Sequence, residues 1–443
     1  MKRGGTVLRI LILSQYWYPE DGVPQRRWSW LSKVLKAQGH ELLVMAPPPN
    51  YQRHVSLKSW FRNRDFRSAN SISRGPSQEG ILRSGFLPSS RSISGKVASQ
   101  AFSGASMAWL LISRKETLRD FDPQLVIGTV PALPIAVLSG FAGWILGVPY
   151  AIDLRDAWPD LLKDSDQWNE AVGRKSLREK VLKLGPLQIL KVIARYSVNN
   201  SLKNATRIFV TSERLGDSLH ERFSDHRIGR SVFTVRNVFP VASGGFKRQT
   251  IKSRPKRSLR VLYAGTLGRA QDLSNAIFAA QLASEQGVKI ELKFIGIGAA
   301  KAALIEQAKR LGVDAQFISR KSSDRLDDYY QWADTALVHL ADWEPLTRTV
   351  PSKTYELMTL GIFITGVVKG ETAELIERLG AGAVVPPKQP EALAALWTDL
   401  ANRRTLIEVD GKGREWVSTE RSEVVPHTLA KALDFEAKKN HSE

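Results

Sequence analysis

One stretch of this chain carries side chains suited to a phosphorylated, hydroxylated ligand. Residues 350–374 read VPSKTYELMTLGIFITGVVKGETAE. Pro351 suits the first turn of a helix, where its missing N–H would go unpaired in any case. The free amides of Ser352, Lys353 and Thr354 and the positive end of the helix dipole favour an anion. Lys353 adds a mobile positive charge. Glu356 follows one turn later on the same side as Ser352 and Lys353, placed to bind hydroxyls. Gly361 ends the helix, and residues 362–368 read as a buried strand. A capped core helix with a surface Lys and Glu is the plain alternative, and this segment alone leaves both readings open.

The elements that must position these residues follow a βα rhythm. Apolar runs at 8–14, 41–46, 125–129, 149–153, 207–211 and 231–235 read as strands of a covered parallel sheet. Residues 24–38, 94–118, 175–202 and 214–222 read as helices, and 47–87 as irregular. After a basic, Ser-Gly-Gly-containing linker at 241–260, the rhythm restarts with strands at 259–264, 289–295, 315–318, 335–339, 362–368 and 383–385. The expected fold class is therefore α/β, with two doubly wound Rossmann-like domains facing across a cleft. The domains run 1–240 and 261–410. A helical tail, 411–443, is expected to pack back on the first. Ligands bind beyond the strand C-termini of such sheets. That rule selects Gly22, Asp153, Arg155 and Asp156 in the first half. In the second it selects the Gly265–Arg269 loop with Gly268, Gly296 and the opening stretch. His339, after an apolar run, reads as a packed histidine.

Composition narrows the chemistry. The chain has 443 residues and no cysteine, which excludes disulfides, thiolate metal sites and a cysteine nucleophile. Its seven histidines show no paired metal-ligand spacing, so no metal is implied. The formal charge is +20, which calls for an anionic neighbour. Residues 51–120 hold twelve basic residues against four acids, mixed with Trp60, Phe61, Phe66, Phe86 and an apolar run at 105–112. That mixture suits an anionic membrane surface; a solvated basic face is the plain alternative. No nucleic-acid motif is present, and no nucleic-acid partner is expected. The N-terminal apolar run is broken by Arg9 and reads as a first strand rather than a targeting segment. Residues 130–152 are long enough to span a bilayer, but their prolines fit a buried helix leading into a strand.

Five segments in order carry a family resemblance: LILSQYWYPEDGVPQRR, PYAIDLRDAWPD, VLYAGTLGRAQDL, ELKFIGIG, and VPSKTYELMTLG with GETAELI. The chain resembles the GT-B-fold retaining glycosyltransferases of family 4, most of all bacterial members that build surface polysaccharides. The resemblance implies a nucleotide-sugar donor bound by the C-terminal domain and a lipid-linked or glycan acceptor bound by the N-terminal one. It implies that Glu356 holds the ribose hydroxyls. It also implies that Ser352, Lys353 and Thr354 face the diphosphate or sugar, and that Gly22 lets backbone approach the donor phosphate. Arg269 lies in the loop that supplies positive charge to the pyrophosphate. Arg269, Lys353 and Glu356 are thus the expected catalytic residues. Asp153, Arg155, Asp156 and Glu371 are expected to line the cleft or touch the acceptor. The implied mechanism is front-face transfer without a cofactor, at the cytoplasmic face of the cell membrane. Arg348 stands where the family places a first Glu, Thr266 and Gln271 replace its loop Arg and Lys, and Phe363 replaces a common proline. A nucleotide-sugar 2-epimerase of the same fold and a non-catalytic polyanion-binding module are the competing readings.

Overall fold

The computed structural model describes residues 7–49, 56–68, 71–88, 93–130, 132–162, 186–224, 231–241 and 257–434. The first part of the helix expected from residue 175, most of the basic linker, Arg53, Arg91 and the end of the tail lie outside the described residues. The chain divides into two units. The first comprises Met1–Pro159, Ile189–Phe239 and Glu423–Glu443, and the second Asp160–Gln188 and Pro240–Ser422.

The first unit begins with β1 (Arg9–Leu13), α1 (Val23–Ala37), β2 (Glu41–Ala46), α2 (Leu57–Arg62), β3 (Ile72–Arg74) and β4 (Gly80–Arg83). It continues with α3 (Ile93–Ser113), α4 (Lys115–Phe121), β5 (Leu125–Val130), α5 (Leu133–Leu146) and β6 (Tyr150–Leu154). Then come α6 (Pro186–Asn204), β7 (Arg207–Val210), α7 (Glu213–Arg222) and β8 (Val232–Thr234). The eight strands are ordered β3-β4-β2-β1-β5-β6-β7-β8. All pair in parallel except β3 with β4. Residues 47–87 are therefore not wholly irregular. Strands β3 and β4 are only three and four residues long, too short to show a period against the surrounding Ser, Arg and Pro.

Handedness decides which face each helix covers. Parallel crossovers are right-handed, so the connections that step toward β8 place α3, α5 and α6 on one face. The step back from β1 to β2 places α1 on the other. The packing agrees. Met107 and Leu111 of α3 and Ile135 and Leu138 of α5 bury Leu11, Leu13, Met45 and Val126. Val198 and Leu202 of α6 lie over Ile152 and Ile208.

The second unit contains β9 (Ser258–Ala264), α8 (Ser274–Glu285), β10 (Lys289–Ile295), α9 (Lys301–Arg310), β11 (Ala315–Ile318), α10 (Asp327–Trp332) and β12 (Thr335–His339). These are followed by α11 (Ser352–Leu360), β13 (Ile364–Val367), α12 (Glu371–Arg378), β14 (Gly382–Val385), α13 (Pro390–Asn402) and α14 (Lys412–Thr419). Its six strands are all parallel and ordered β11-β10-β9-β12-β13-β14. Trp397, fully buried on α13, packs with Leu259, Ile277 and Leu393 at the centre of the core. The last helix, α15 (Val425–Leu433), belongs to the first unit, where Gln38 donates to the Pro426 carbonyl at 2.8 Å and Arg207 to that of Ala432 at 3.1 Å.

Candidate active site

The strand order of the second unit reverses between β9 and β12. The sheet grows from β9 through β10 to β11 on one side, and from β12 through β13 to β14 on the other. Loops leaving β9 and β12 therefore diverge and open a crevice beyond their C-termini. The chain after β9 is Gly265-Thr266-Leu267-Gly268, leading into a short 3-10 turn at Arg269–Gln271. The Ala341 amide, just past β12, donates to the Ala270 carbonyl at 2.9 Å and ties the two loops together.

Glycines set the shape of these loops. A Cβ on Gly296 would lie 1.8 Å from the Gly265 carbonyl oxygen, and one on Gly298 2.0 Å from that of Leu267. The loops after β9 and β10 run that close because Leu267 donates to the Ile297 carbonyl and Ala300 to that of Leu267, at 2.9 and 3.0 Å. Gly268 precedes the 3-10 turn, and a Cβ there would press on the Gln271 side chain at 2.7 Å. Arg269 is half-buried in this turn, and its Nε has no hydrogen-bond partner among the described residues.

Helix α11 starts at Ser352, one residue later than a first-turn Pro351 predicts: Pro351 is the N-cap, with extended backbone. Gly361 ends the helix in the left-handed conformation, at φ 66°. Ser352 is half-buried, and Thr354 is fully buried, with no partner for its hydroxyl among the described residues.

Lys353 reaches back to the end of β9. Its Nζ stands 3.6 Å from the centroid of the Tyr263 ring, and a Cβ on Gly265 would come within 2.5 Å of it. Gly265 thus leaves the room the ammonium occupies. Tyr263 is itself fixed, donating from its hydroxyl to the Thr266 carbonyl at 2.8 Å. Among the described residues no carboxylate lies within ion-pair distance of Lys353. Burial lowers it from its ordinary 10.5 to about 7, against the opposing pull of Glu356. His339, at the end of β12, lies near enough to feel the Lys353 charge. Burial, with that charge pushing the same way, lowers it to about 3, so it is neutral. Its Nε2 is 3.3 Å from the Asn275 amide nitrogen.

Glu356 is half-buried one turn along α11, and its Oε1 accepts from the Tyr330 hydroxyl at 3.0 Å. Tyr330 is buried on α10. The structure therefore gathers Lys353, Glu356, Gly265, His339 and Asn275, and adds Tyr263 and Tyr330. Sequence reasoning passed over both tyrosines: Tyr263 was read only as part of an apolar strand, Tyr330 lies in none of the five segments, and only the fold brings them to α11.

Arg348, the anomalous residue of the opening stretch, is bound to carboxylates. It lies 2.7 Å from Glu344 and 3.1 Å from Asp160, which groups with the second unit. Glu344 is thus held by Arg348. Glu371 is buried at the start of α12, behind Gly370.

In the first unit, Gly22 is the N-cap of α1 with extended backbone, and a Cβ there would meet the Gln25 side chain at 2.4 Å. Asp153 departs from the expected cleft role. It is 1% exposed, and both its oxygens are taken: Arg27 donates at 2.7 and 3.3 Å, and the Trp28 indole at 2.9 Å. Arg27 also donates to the carbonyls of Val235 and Arg236 and to the Asn237 side chain, at 2.8, 3.3 and 3.0 Å. Asp153 is therefore a buried anchor that fastens α1 to the chain leaving β8. Arg155 is buried after β6, its guanidinium lowered by burial. The Asp156 carboxyl is raised, first by burial, with Arg155 opposing. Among the described residues no cluster of three or more His, Asp or Glu could hold a metal ion.

Comparison with known proteins bears on the fold and the class of enzyme. The profile of the family described as glycosyl transferases group 1 matches residues 247–409. The chain is 24% identical over 403 residues to the putative colanic acid biosynthesis glycosyl transferase WcaI of Escherichia coli K12, covering 88% of this chain and 91% of that protein. Its fold resembles sucrose-phosphate synthase of Thermosynechococcus elongatus, with a TM-score of 0.64 at 14% identity over 96% of this chain and 98% of the other. It also resembles Anabaena HepE solved with UDP and glucose (TM-score 0.59, 14% identity, 96% and 99% covered) and the lipopolysaccharide-biosynthesis glycosyltransferase WaaG (0.56, 14%, 96% and 98%). With two largely parallel Rossmann-like sheets and a group 1 profile over residues 247–409 of the unit that carries Lys353 and Glu356, the chain is a glycosyltransferase of the GT-B fold.

Proposed function

We propose that this enzyme transfers a sugar, with retention of anomeric configuration, from a nucleoside-diphosphate sugar to a lipid-linked or glycan acceptor. The product would be a bacterial surface polysaccharide such as O-antigen, capsule or exopolysaccharide. The observation that carries this reading is Lys353. It is a lysine with no carboxylate at ion-pair distance among the described residues, standing at the start of α11 beside Gly265 and one turn before Glu356. In this reading Glu356 accepts from the ribose hydroxyls, oriented by Tyr330. Lys353, Arg269 and the amides of Ser352 and Thr354 face the diphosphate. Gly268, Gly296 and Gly22 allow backbone to approach it.

Charge builds on the departing diphosphate as the bond from its oxygen to the anomeric carbon breaks, and fixed cations and amides stabilise it. The acceptor hydroxyl forms the new bond on the same face and gives its proton to the leaving phosphate oxygen. Arg155, Asp156 and Glu371 are assigned to the acceptor or the cleft. No resident metal or cofactor is invoked, so turnover is expected to persist in EDTA. The relatives' names, colanic acid and lipopolysaccharide biosynthesis, support the polysaccharide setting. The basic composition supports a peripheral position on an anionic membrane, at its cytoplasmic side.

HepE was solved with UDP and glucose, so UDP and UDP-glucose are the first ligands to titrate, with GDP as the contrast. Glu356→Ala is expected to weaken nucleotide binding at least tenfold by calorimetry, and Tyr330→Phe by a smaller factor. Unchanged affinity in Glu356→Ala would sink the ribose assignment.

A further inference from the structure

The helical layer on one face of the first unit is apolar on its outside as well as its inside. Among the exposed positions of α3, Val97, Ala101, Ala105, Trp109 and Ile112 recur every three or four residues and form one stripe. Met107, Leu110 and Leu111 face the core. No charged residue occurs from Val97 to Ser113. Helix α5 also lacks charge, and Trp144 is 79% exposed, stacked on Phe141. The two helices touch closely: a Cβ on Gly104 would lie 3.1 Å from that of Pro134. Helix α6 continues the layer and exposes Ile189, Val192, Ile193 and Tyr196, again at helical spacing.

The rim of this surface is net basic around the end of α2, where Arg62 and Arg64 are exposed. On α4, which follows the end of α3, the exposed Lys115 and Arg119 alternate with the exposed Glu116 and Asp120. Helix α2 packs beside α3 through Trp60 and Phe102, with ring centroids 6.4 Å apart, and exposes Phe61 next to Arg62 and Arg64. Trp60 and Phe86 are buried, so the outward aromatics are fewer than the sequence pattern predicts.

An apolar face this continuous needs a partner. A second copy is disfavoured, because each chain carries +20 and both rims would be basic. An anionic bilayer satisfies both parts: apolar side chains enter the acyl boundary, tryptophans sit at headgroup level, and the rim meets the phosphates. No described helix is long and apolar enough to cross a membrane. Helix α5, with 14 residues, is about 21 Å long against an apolar core of about 30 Å.

We infer that the outward face of α3 and α5, with Trp109 and Trp144 at its centre, is a docking surface for an anionic lipid bilayer, on which the helices lie flat. This deepens the membrane side of the proposed function and rests on it.

The test is co-sedimentation of the full chain with vesicles of phosphatidylglycerol and phosphatidylcholine, and with phosphatidylcholine alone. The parent is expected to prefer the anionic vesicles. Trp109→Ser with Trp144→Ser should reduce bound protein at least tenfold while leaving the melting temperature and UDP affinity unchanged. Lys115→Glu with Arg119→Glu should remove the preference for anionic lipid. The inference is overturned if the parent does not bind, or if the double tryptophan variant sediments like it. It is equally overturned if the parent is a dimer in vesicle-free buffer that the tryptophan variant dissolves. UDP titration of the same samples keeps the two readings apart: a parent that binds vesicles but no nucleotide counts against the donor assignment only.

Discussion

Lys353 pairs an ammonium with a tyrosine face and a glycine instead of a carboxylate. Near pH 7 it is about half protonated in the free enzyme. A diphosphate beside it favours the charged form, so binding above pH 7 must take up a proton. Affinity for UDP-glucose is therefore expected to fall as pH rises from 7 to 9, by at most about tenfold per unit. Calorimetry in two buffers of different ionisation enthalpy measures the proton taken up, and zero uptake at pH 8 would refute the assignment. Lys353→Met should flatten the profile. The same shift has the opposite consequence for stability. Between about pH 7 and 10.5 the unfolded chain binds more of this proton than the folded one, so Lys353's contribution becomes more favourable as pH rises. Arg348 shows the other way a half-buried cation is tolerated: Glu344 and Asp160 neutralise it, leaving Lys353 the better candidate for an external anion.

At the scale of elements, the second unit depends on loops that approach within reach of one another's backbone. Gly370 precedes α12 at φ 69°, and a Cβ there would lie 2.0 Å from the Thr347 carbonyl oxygen. Gly370→Ala combines left-handed strain with a backbone clash and should cost roughly 3 kcal/mol. Gly312, at φ 65° with nothing within 4 Å of a Cβ, provides the control. Gly312→Ala should cost about 1 kcal/mol. Urea denaturation of the two variants compares them directly, and equal costs would show that Thr347 gives way. Helix α5 illustrates a different ambiguity. Its sequence is apolar all round, which reads as burial, yet one side meets the sheet and the other carries an exposed Trp144.

At the scale of the whole molecule, two units with separate sheets and cores need not unfold together. If the donor is held by the second unit, a nucleotide at a hundredfold over its Kd should stabilise that unit by about 2.7 kcal/mol. Scanning calorimetry should then show one transition moving up and the other staying in place. Movement of only the transition that Asp153→Ala lowers would place the nucleotide on the first unit, since Asp153 anchors Arg27 within that unit.

Much of this protein is readable in its order of residues. Parallel strands covered on both sides are continuous Val, Ile and Leu runs, so most of β1, β2, β5, β6, β7 and the second sheet stand out from their neighbours. The Gly-Val-Pro and Thr-Leu-Gly punctuation marks where the chain turns, and Lys353 and Glu356 are linked by helical spacing alone. Strands β3 and β4 do not stand out, because three or four residues cannot display a period. Asp153 looked like a cleft acid because it closes an expected strand, where ligands of such sheets bind. Arg27, which claims it, is 126 residues away in the chain. Tyr263 and Tyr330 reach α11 from two other elements, and the outward side of α3 and α5 is defined by the sheet they cover. Helical and strand periods are local properties written in neighbouring residues. Which charge is neutralised, and which apolar face is left uncovered, depends on partners that only the folded chain brings together.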